Sequence, residues 1–351
     1  MKLSDIEILQ IEPSSYCNAR CPHCPRFDCI EYNVFESTGT LHPDLKQGHM
    51  DINAIIENLQ VDQLSSLKYV VLEGDKGDPV MHPNIEKFIE IFSNLPSKPL
   101  ITLYTNGSIR NTVWWQDLAK KQYRLKVVFS IDGLADTNHL YRVGLDYNKI
   151  INNVNAFIAG GGYAVWKMIV FAHNEHQIDE IKKFSQSIGC SEFSLRQADR
   201  ARFKNLNKWP VKIDGKLSHY LEVPRENRAH TTDYVFKKTD NMIPSRRLNI
   251  ANRVCPNLSK GQLYITHQNY VLPCCMMHFV TEHNYFGKDD FLKLAGDVEK
   301  HSLVSNTLES ILQNQFFLKT LVDSLKTNNR HHICNGCNQQ INKNLLNLVQ
   351  G

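Results

Sequence analysis

From the first residues to about position 200, short apolar β-branched runs alternate with longer amphipathic runs. No other feature narrows the fold as far. The strand-like runs are Ile6–Ile11, Tyr69–Leu72, Leu100–Tyr104, Lys126–Ile131, Ala164–Phe171 and Glu192–Leu195. Between them lie the helix-like runs Ile52–Leu59, Ile85–Ser93, Val113–Lys121, Tyr147–Ile158 and Gln177–Ile188. Alternation at this spacing makes βαβ units, and so parallel strands joined by right-handed crossovers. There are about six such units, two short of a full TIM barrel. The expectation is an α/β chain built as a partial (β/α)6 TIM-like barrel, with a doubly wound sheet as the alternative.

The pattern breaks twice after that. Over 201–253 the periodicity fades into a polar stretch punctuated by Pro210, Pro224 and Pro244. It reads as a bridge or a long substrate-facing segment. Between Arg196 and Arg253 there are 14 Lys/Arg and 6 Asp/Glu, a net of +8 within a chain whose total is +4. A local basic excess of that kind suits an acidic partner or a solvated connector. From 254 onward a hairpin is expected, Gln262–Thr266 and Tyr270–Cys274 around His267-Gln268-Asn269. Two amphipathic helices, Ser302–Asn314 and Phe316–Thr327, should follow. The expected division is 1–200, 201–253 and 254–351, the last a small α+β domain.

With 351 residues, 42% apolar and 22% charged, the chain is neither disordered nor fibrous. No run approaches the roughly 18 apolar residues of a membrane span. The first residues carry no apolar signal segment or cleavage site, so a cytoplasmic protein is expected. No stripe of interleaved basic and aromatic residues marks a nucleic-acid surface.

Ten cysteines stand in this chain. In a reducing compartment, clustered thiols are metal ligands or catalytic groups rather than disulfides. The sharpest cluster is Cys17-Asn18-Ala19-Arg20-Cys21-Pro22-His23-Cys24, a C-x3-C-x2-C run soon after the first strand. Three thiolates on one tight loop can hold three irons of a cubane and leave the fourth iron open. Ordinary ferredoxin clusters take four cysteines and only move electrons. An open metal position is where chemistry happens, as catalytic zinc shows against structural zinc. A structural zinc loop is the competing reading, and it needs a fourth ligand from far away.

At these residues the chain resembles the radical S-adenosylmethionine (SAM) superfamily. Further short motifs at successive strand ends carry the same resemblance. Gly77-Asp78-Pro79 resembles the Gly-Gly-Glu-Pro motif that contacts SAM's amino group, with Asp for Glu and a longer lead-in, Glu73-Gly74-Asp75-Lys76. Thr105-Asn106-Gly107 follows the third strand and Ser130-Ile131-Asp132-Gly133 the fourth. The resemblance places Ser130 and Asp132 at SAM's ribose and carboxylate, and Arg142 as the carboxylate's partner. A bidentate Arg–carboxylate pair makes that role physically sensible.

A second set is Cys255, Cys274, Cys334 and Cys337. Four thiolates imply a closed site, either zinc or an additional iron–sulfur cluster, and spacing alone favours zinc. The resemblance implies the cluster. Leu263 to Cys274 is similar to the hairpin opening a twitch or SPASM auxiliary-cluster domain, with Asn269 in place of the turn glycine. One auxiliary cluster fits, which makes two [4Fe-4S] clusters in all. That count resembles the aminocyclitol dehydrogenase of butirosin-type antibiotic synthesis. Of the remaining cysteines, Cys190 reads as a buried structural thiol, while Cys29 and Cys275 are candidate hydrogen-atom donors.

The resemblance implies reductive cleavage of SAM to a 5′-deoxyadenosyl radical that abstracts a hydrogen atom from a C–H bond of a peptide or protein. Two alternatives stand beside it: a small-molecule dehydrogenase acting on an aminocyclitol- or sugar-like substrate, and a degenerate barrel kept as a binding module. An electron donor such as flavodoxin or ferredoxin is implied as a partner.

Overall fold

The structure, a computed structural model, describes residues 1–22, 24–29, 37–43, 45–197, 208–225, 232–236, 256–275, 277, 295–321 and 323. In chain order the first elements are β1 (Ile8–Ile11), β2 (Phe27–Cys29), β3 (Ser37–Leu41), α1 (Ile52–Asn58), β4 (Tyr69–Leu72), α2 (Ile85–Ser93), β5 (Leu100–Thr105), α3 (Thr112–Lys120) and β6 (Leu125–Ser130). Then come α4 (Asn138–Tyr141), α5 (Tyr147–Ala159), β7 (Tyr163–Val170), α6 (Ile178–Ser187), β8 (Glu192–Gln197), β9 (Lys208–Ile213), β10 (Lys216–Glu222) and β11 (Thr232–Val235). The last are α7 (Pro256–Ser259), β12 (Gln262–Ile265), β13 (Val271–Leu272) and α8 (Leu308–Leu312).

One sheet dominates, in the order β11-β8-β7-β6-β5-β4-β1-β12-β13. The strands β1, β4, β5, β6, β7 and β8 lie side by side in chain order and all parallel. Each crossover therefore steps in the same direction. Right-handed crossovers stepping one way put their helices on one face and curl the sheet, which is the barrel arrangement. A doubly wound sheet reverses direction at a switch point, and this one does not. The partial barrel expected from the alternation is what the chain forms.

Local sequence sets the helix starts. Asp51 caps α1 through Asn53 N, Asn111 caps α3 through Trp114 N, and Asp146 caps α5 through Asn148 N and Lys149 N. The apolar faces of these helices meet the sheet in one core, where Trp115, Phe129 and Phe157 pack ring to ring.

The hairpin of β12 and β13 joins this sheet. Ile8–Ile11 pairs in register with Tyr69–Leu72 on one side and with Gln262–Ile265, also parallel, on the other. Asn269 takes φ 66° in the hairpin turn, as its place there requires. Its amide then grips both backbone groups of Asp51, at 3.0 and 2.9 Å, and so ties the hairpin to the cap of α1.

Two expectations change. The stretch 302–314 is not one helix. Ser302 and Asn306 draw the backbone into turns through side-chain bonds, and the helix starts only at the Thr307 cap. Ser and Asn compete with the helical ladder in this way. From Phe316 the chain is helical as expected, opening as a π-helical stretch, Phe316–Thr320, with Leu321 and Asp323 α-helical; residues 322 and 324–327 lie outside the described residues. Second, the stretch 201–253 holds regular structure. β9 and β10 form a hairpin around Asp214-Gly215, both at positive φ. Asp-Gly between two strand-like runs is a strong hairpin signal, and it was present in the sequence. With β2 and β3 this hairpin makes a second sheet, in the order β10-β9-β3-β2. No helix among the described residues is long and apolar enough to cross a membrane.

Candidate active site

The C-terminal ends of the barrel strands surround one cavity of about 290 Å³. Cys17, Cys21 and Cys24 line it, together with Gly77, Asp78, Pro79, Asn106, Ser130 and Arg142. Six of the seven residues expected to contact SAM thus border the same space as the three thiols. The seventh, Asp132, is not among the lining residues. Its side chain is fully buried and holds Arg142 Nε at 2.6 Å while accepting from Ile169 N.

The cysteine loop is held from several directions. Arg20 N donates to the Val143 carbonyl, and Arg26 Nη1 to the Ala19 carbonyl. Asn106 Nδ2 reaches both Asn18 Oδ1 at 2.9 Å and Cys17 Sγ at 3.6 Å. Arg142 Nη1 approaches Cys21 Sγ at 3.6 Å, and Ala19 N donates to Cys17 Sγ. The outer side of the loop is covered by the second sheet: Trp209, Val211 and Leu221 pack with Ala19, Cys21, Tyr141 and Phe171.

Gly77 is a glycine because of a close approach. A Cβ there would lie 1.9 Å from the Ser14 carbonyl oxygen, so any side chain would push the loop after β4 away from β1. The next residue completes the junction. Asp78 N donates to the Tyr16 carbonyl, and its carboxyl accepts from Val80 N, Thr105 Oγ1 and Asn106 N. Burial raises the Asp78 carboxyl to about 6, against the pull of those backbone donors.

Burial also pushes the Cys17 thiol up to about 12, with Asp78 and Cys21 adding to the shift. The Cys21 thiol is raised by burial and drawn back by Arg142. Both are therefore protonated until a metal displaces the proton. Among the described residues, no three His, Cys, Asp or Glu side chains converge as ligands of one ion. Three thiolates bound each to its own iron need no such convergence. Sulfurs that receive N–H donors, beside two arginines, are the environment in which a protein tunes a cluster. The donor set fits a cubane with one open iron.

Nothing in the local pattern marked Glu12. This buried residue follows β1, takes Lys76 N at 2.6 Å, and meets Tyr264 Oη at 3.2 Å and His267 Nδ1 at 3.4 Å. His267 donates from Nε2 to the Lys46 carbonyl. One carboxylate thus fastens the long lead-in of the Gly77-Asp78-Pro79 motif to the β12–β13 hairpin.

Of the second cysteine set only Cys274 is described, just after β13; Cys255, Cys334 and Cys337 lie outside the described residues. Of Cys29 the backbone alone is described, as the last residue of β2. Cys275 does not line the cavity. It lies by Gln10, and burial, then Asp75, raises its thiol well above the ordinary value. Cys190 is a buried thiol of the core, in no disulfide.

No family model matches the chain, and no curated protein matches it. Solved structures do. Streptococcus suis SuiB bound to S-adenosylmethionine aligns at 14% identity over 94% of this chain and 77% of that one, with a TM-score of 0.51. A histidine-tagged anSMEcpe with bound AdoMet aligns at 15% identity over 92% and 81%, also with a TM-score of 0.51. Against SuiB solved alone, the chain spans 61% of that protein's length, at 15% identity, 78% coverage of this chain and a TM-score of 0.48. The fold of this chain is the one seen in SuiB and anSMEcpe, each solved with S-adenosylmethionine bound.

Proposed function

We propose that this chain is a radical SAM enzyme. The observation that carries the reading is the shared cavity. Three thiols of one loop open onto the same space as Gly77-Asp78-Pro79, Asn106, Ser130 and Arg142. In this reading Cys17, Cys21 and Cys24 hold a [4Fe-4S] cluster. Bound there, the cluster supplies the electron that splits SAM into methionine and a 5′-deoxyadenosyl radical able to take a hydrogen atom from a C–H bond. The chain's own residues do the positioning. Asn106 and Arg142 brace the sulfurs, Asp132 orients Arg142, and Trp209, Val211 and Leu221 cover the loop against water. Asp78, pinned by three donors, sets the rim where SAM's amino group would lie.

Cys274 with Cys255, Cys334 and Cys337 would hold a second cluster, closed by four thiolates and suited to electron transfer. A chain that holds two iron–sulfur clusters suits the reducing cytoplasm. The substrate in this reading is a peptide or protein. Support comes from the basic stretch, whose lysines Lys208, Lys212 and Lys216 stand on the hairpin that caps the cysteine loop. A Michaelis constant that rises with salt fits an acidic peptide; one indifferent to salt favours the small-molecule alternative.

The deciding experiment is anaerobic reconstitution. Wild-type protein should be brown, carry about eight irons per chain if both sites hold cubanes, and release 5′-deoxyadenosine on reduction. Cys17→Ala, Cys21→Ala and Cys24→Ala together should abolish that release without changing the melting profile. A folded triple variant that still forms 5′-deoxyadenosine sinks the assignment. Four irons and one zinc would overturn only the second cluster.

A further inference from the structure

Among the described residues three cations line the cavity: Arg26, Arg142 and Lys167. The two arginines belong to the cysteine side. Arg26 donates to the Ala19 carbonyl, and Arg142 is engaged by Asp132 and Cys21. Both arginines thus already have partners within the fold.

Lys167 is placed differently. It projects from β7, largely buried, and its Nζ lies 4.8 Å from the centroid of the Tyr104 ring. Among the described residues it has no hydrogen-bond acceptor and no ion-pair partner. The nearby Glu73 carboxyl accepts from Gln10 instead. Burial is the main influence on the Lys167 ammonium and lowers its pKa; Arg196 and Arg142 act in the same sense, and Glu73 and Asp132 oppose them. A buried cation facing a cavity is costly until an acceptor arrives.

We propose that Lys167 takes a carboxylate of the ligand that fills this cavity. The inference deepens the radical SAM reading and rests on it for the identity of that ligand. A monoanion suits the place. Glu73, Asp75 and Asp78 border the same cavity, and a doubly charged phosphate would be repelled by them. The carboxylate has two possible sources, the methionyl end of SAM or an acidic group of the substrate.

The test uses reconstituted holoprotein, as wild type, Lys167→Met and Lys167→Arg. Equilibrium dialysis measures the binding of SAM and of decarboxylated SAM, with no turnover needed. Loss of one charge-assisted hydrogen bond weakens binding by roughly 10- to 100-fold. If the carboxylate is SAM's, Lys167→Met weakens SAM by that factor and leaves decarboxylated SAM within about twofold, as expected when only the carboxylate contact is lost; Lys167→Arg restores part of the loss. If the carboxylate is the substrate's, SAM binding stays unchanged. Acetate added to SAM-loaded protein, followed by saturation-transfer NMR, then binds wild type and not Lys167→Met. Unchanged SAM affinity together with equal acetate binding to both proteins overturns the proposal. Lys167→Gln serves in place of Lys167→Met if the latter does not fold. Wild type that binds carboxylates through Lys167 but never forms 5′-deoxyadenosine would sink the radical SAM reading alone. Wild type that forms it, with Lys167→Met indistinguishable in every binding assay, would sink the Lys167 inference alone.

Discussion

On the cysteine side of the cavity, Arg142 meets the buried Asp132 carboxylate at 2.6 Å, and Asp78 is held by two backbone N–H groups and a hydroxyl. Elsewhere on the same lining, Lys167 meets the face of Tyr104 and, among the described residues, no carboxylate. Buried charges are costly unless paired. The chain has paired the charges that brace the thiols, because that geometry must exist before any ligand arrives. Lys167 is left a cation without an ion-pair partner among the described residues, and a ligand that supplies one gains what the free protein forgoes. Pre-organisation and recognition thus fall to different residues of a single cavity.

The contrast is broken most severely at Asp132. Asp132→Ala should cost about 3–5 kcal/mol in chemical denaturation, because it strands a buried guanidinium. Asp132→Asn should cost less, since one acceptor remains for Arg142. Equal stability of Asp132→Ala and wild type would mean that the pairing on the cysteine side carries no weight.

His173 sharpens the comparison, because it is an unpartnered group behind the cysteine side. It stacks on Phe171 at 5.3 Å, and both ring nitrogens are buried without a hydrogen-bond partner. Burial, with His219, His139 and His176 adding to it, lowers its pKa to about 4 from 6.5. The fold therefore favours the neutral ring. Stability is full above pH 6.5 and falls as the pH drops toward 4, where the unfolded chain takes the proton first. The loss should approach about 3 kcal/mol. His173→Phe should flatten that slope in denaturant titrations run from about pH 7 to pH 4; an unchanged slope would place the pH dependence elsewhere.

At Lys167 the sign reverses. Removing a cation that has no partner should leave stability unchanged or raise it by up to about 1 kcal/mol in Lys167→Met, since only its desolvation cost is relieved. A loss of more than about 1 kcal/mol, beyond what an exposed pair contributes, would reveal a partner for Lys167 and erase the contrast. The smallest effect belongs to the rim. Arg20 pairs with Asp214 at 2.8 Å, linking the cysteine loop to the β9–β10 turn, but both side chains are largely exposed. Arg20→Ala should cost about 0.2–1 kcal/mol at low salt and nothing measurable at about 1 M salt, where exposed pairs are screened.

The sequence by itself determined the local and the sequential. Six strand-like runs with helices between them make parallel strands, as β1, β4, β5, β6, β7 and β8 are, while their chain order, a barrel and not a doubly wound sheet, came from the tertiary structure. The Cys17–Cys24 spacing and the strand-end motifs were legible for the same reason: barrel strands bring successive C-terminal ends to one rim. Tertiary structure alone decided the rest. Glu12 meets Tyr264 across 252 positions, and β12 settles beside β1; no local pattern marks such a pairing. Arg142 meets the buried Asp132 carboxylate, and no local pattern marks that pairing either. Lys167 could not be read from its strand, because parallel strands are apolar on both faces and their pattern does not say which face meets a cavity. A side chain's role there depends on what stands across from it, and folding alone brings those groups together.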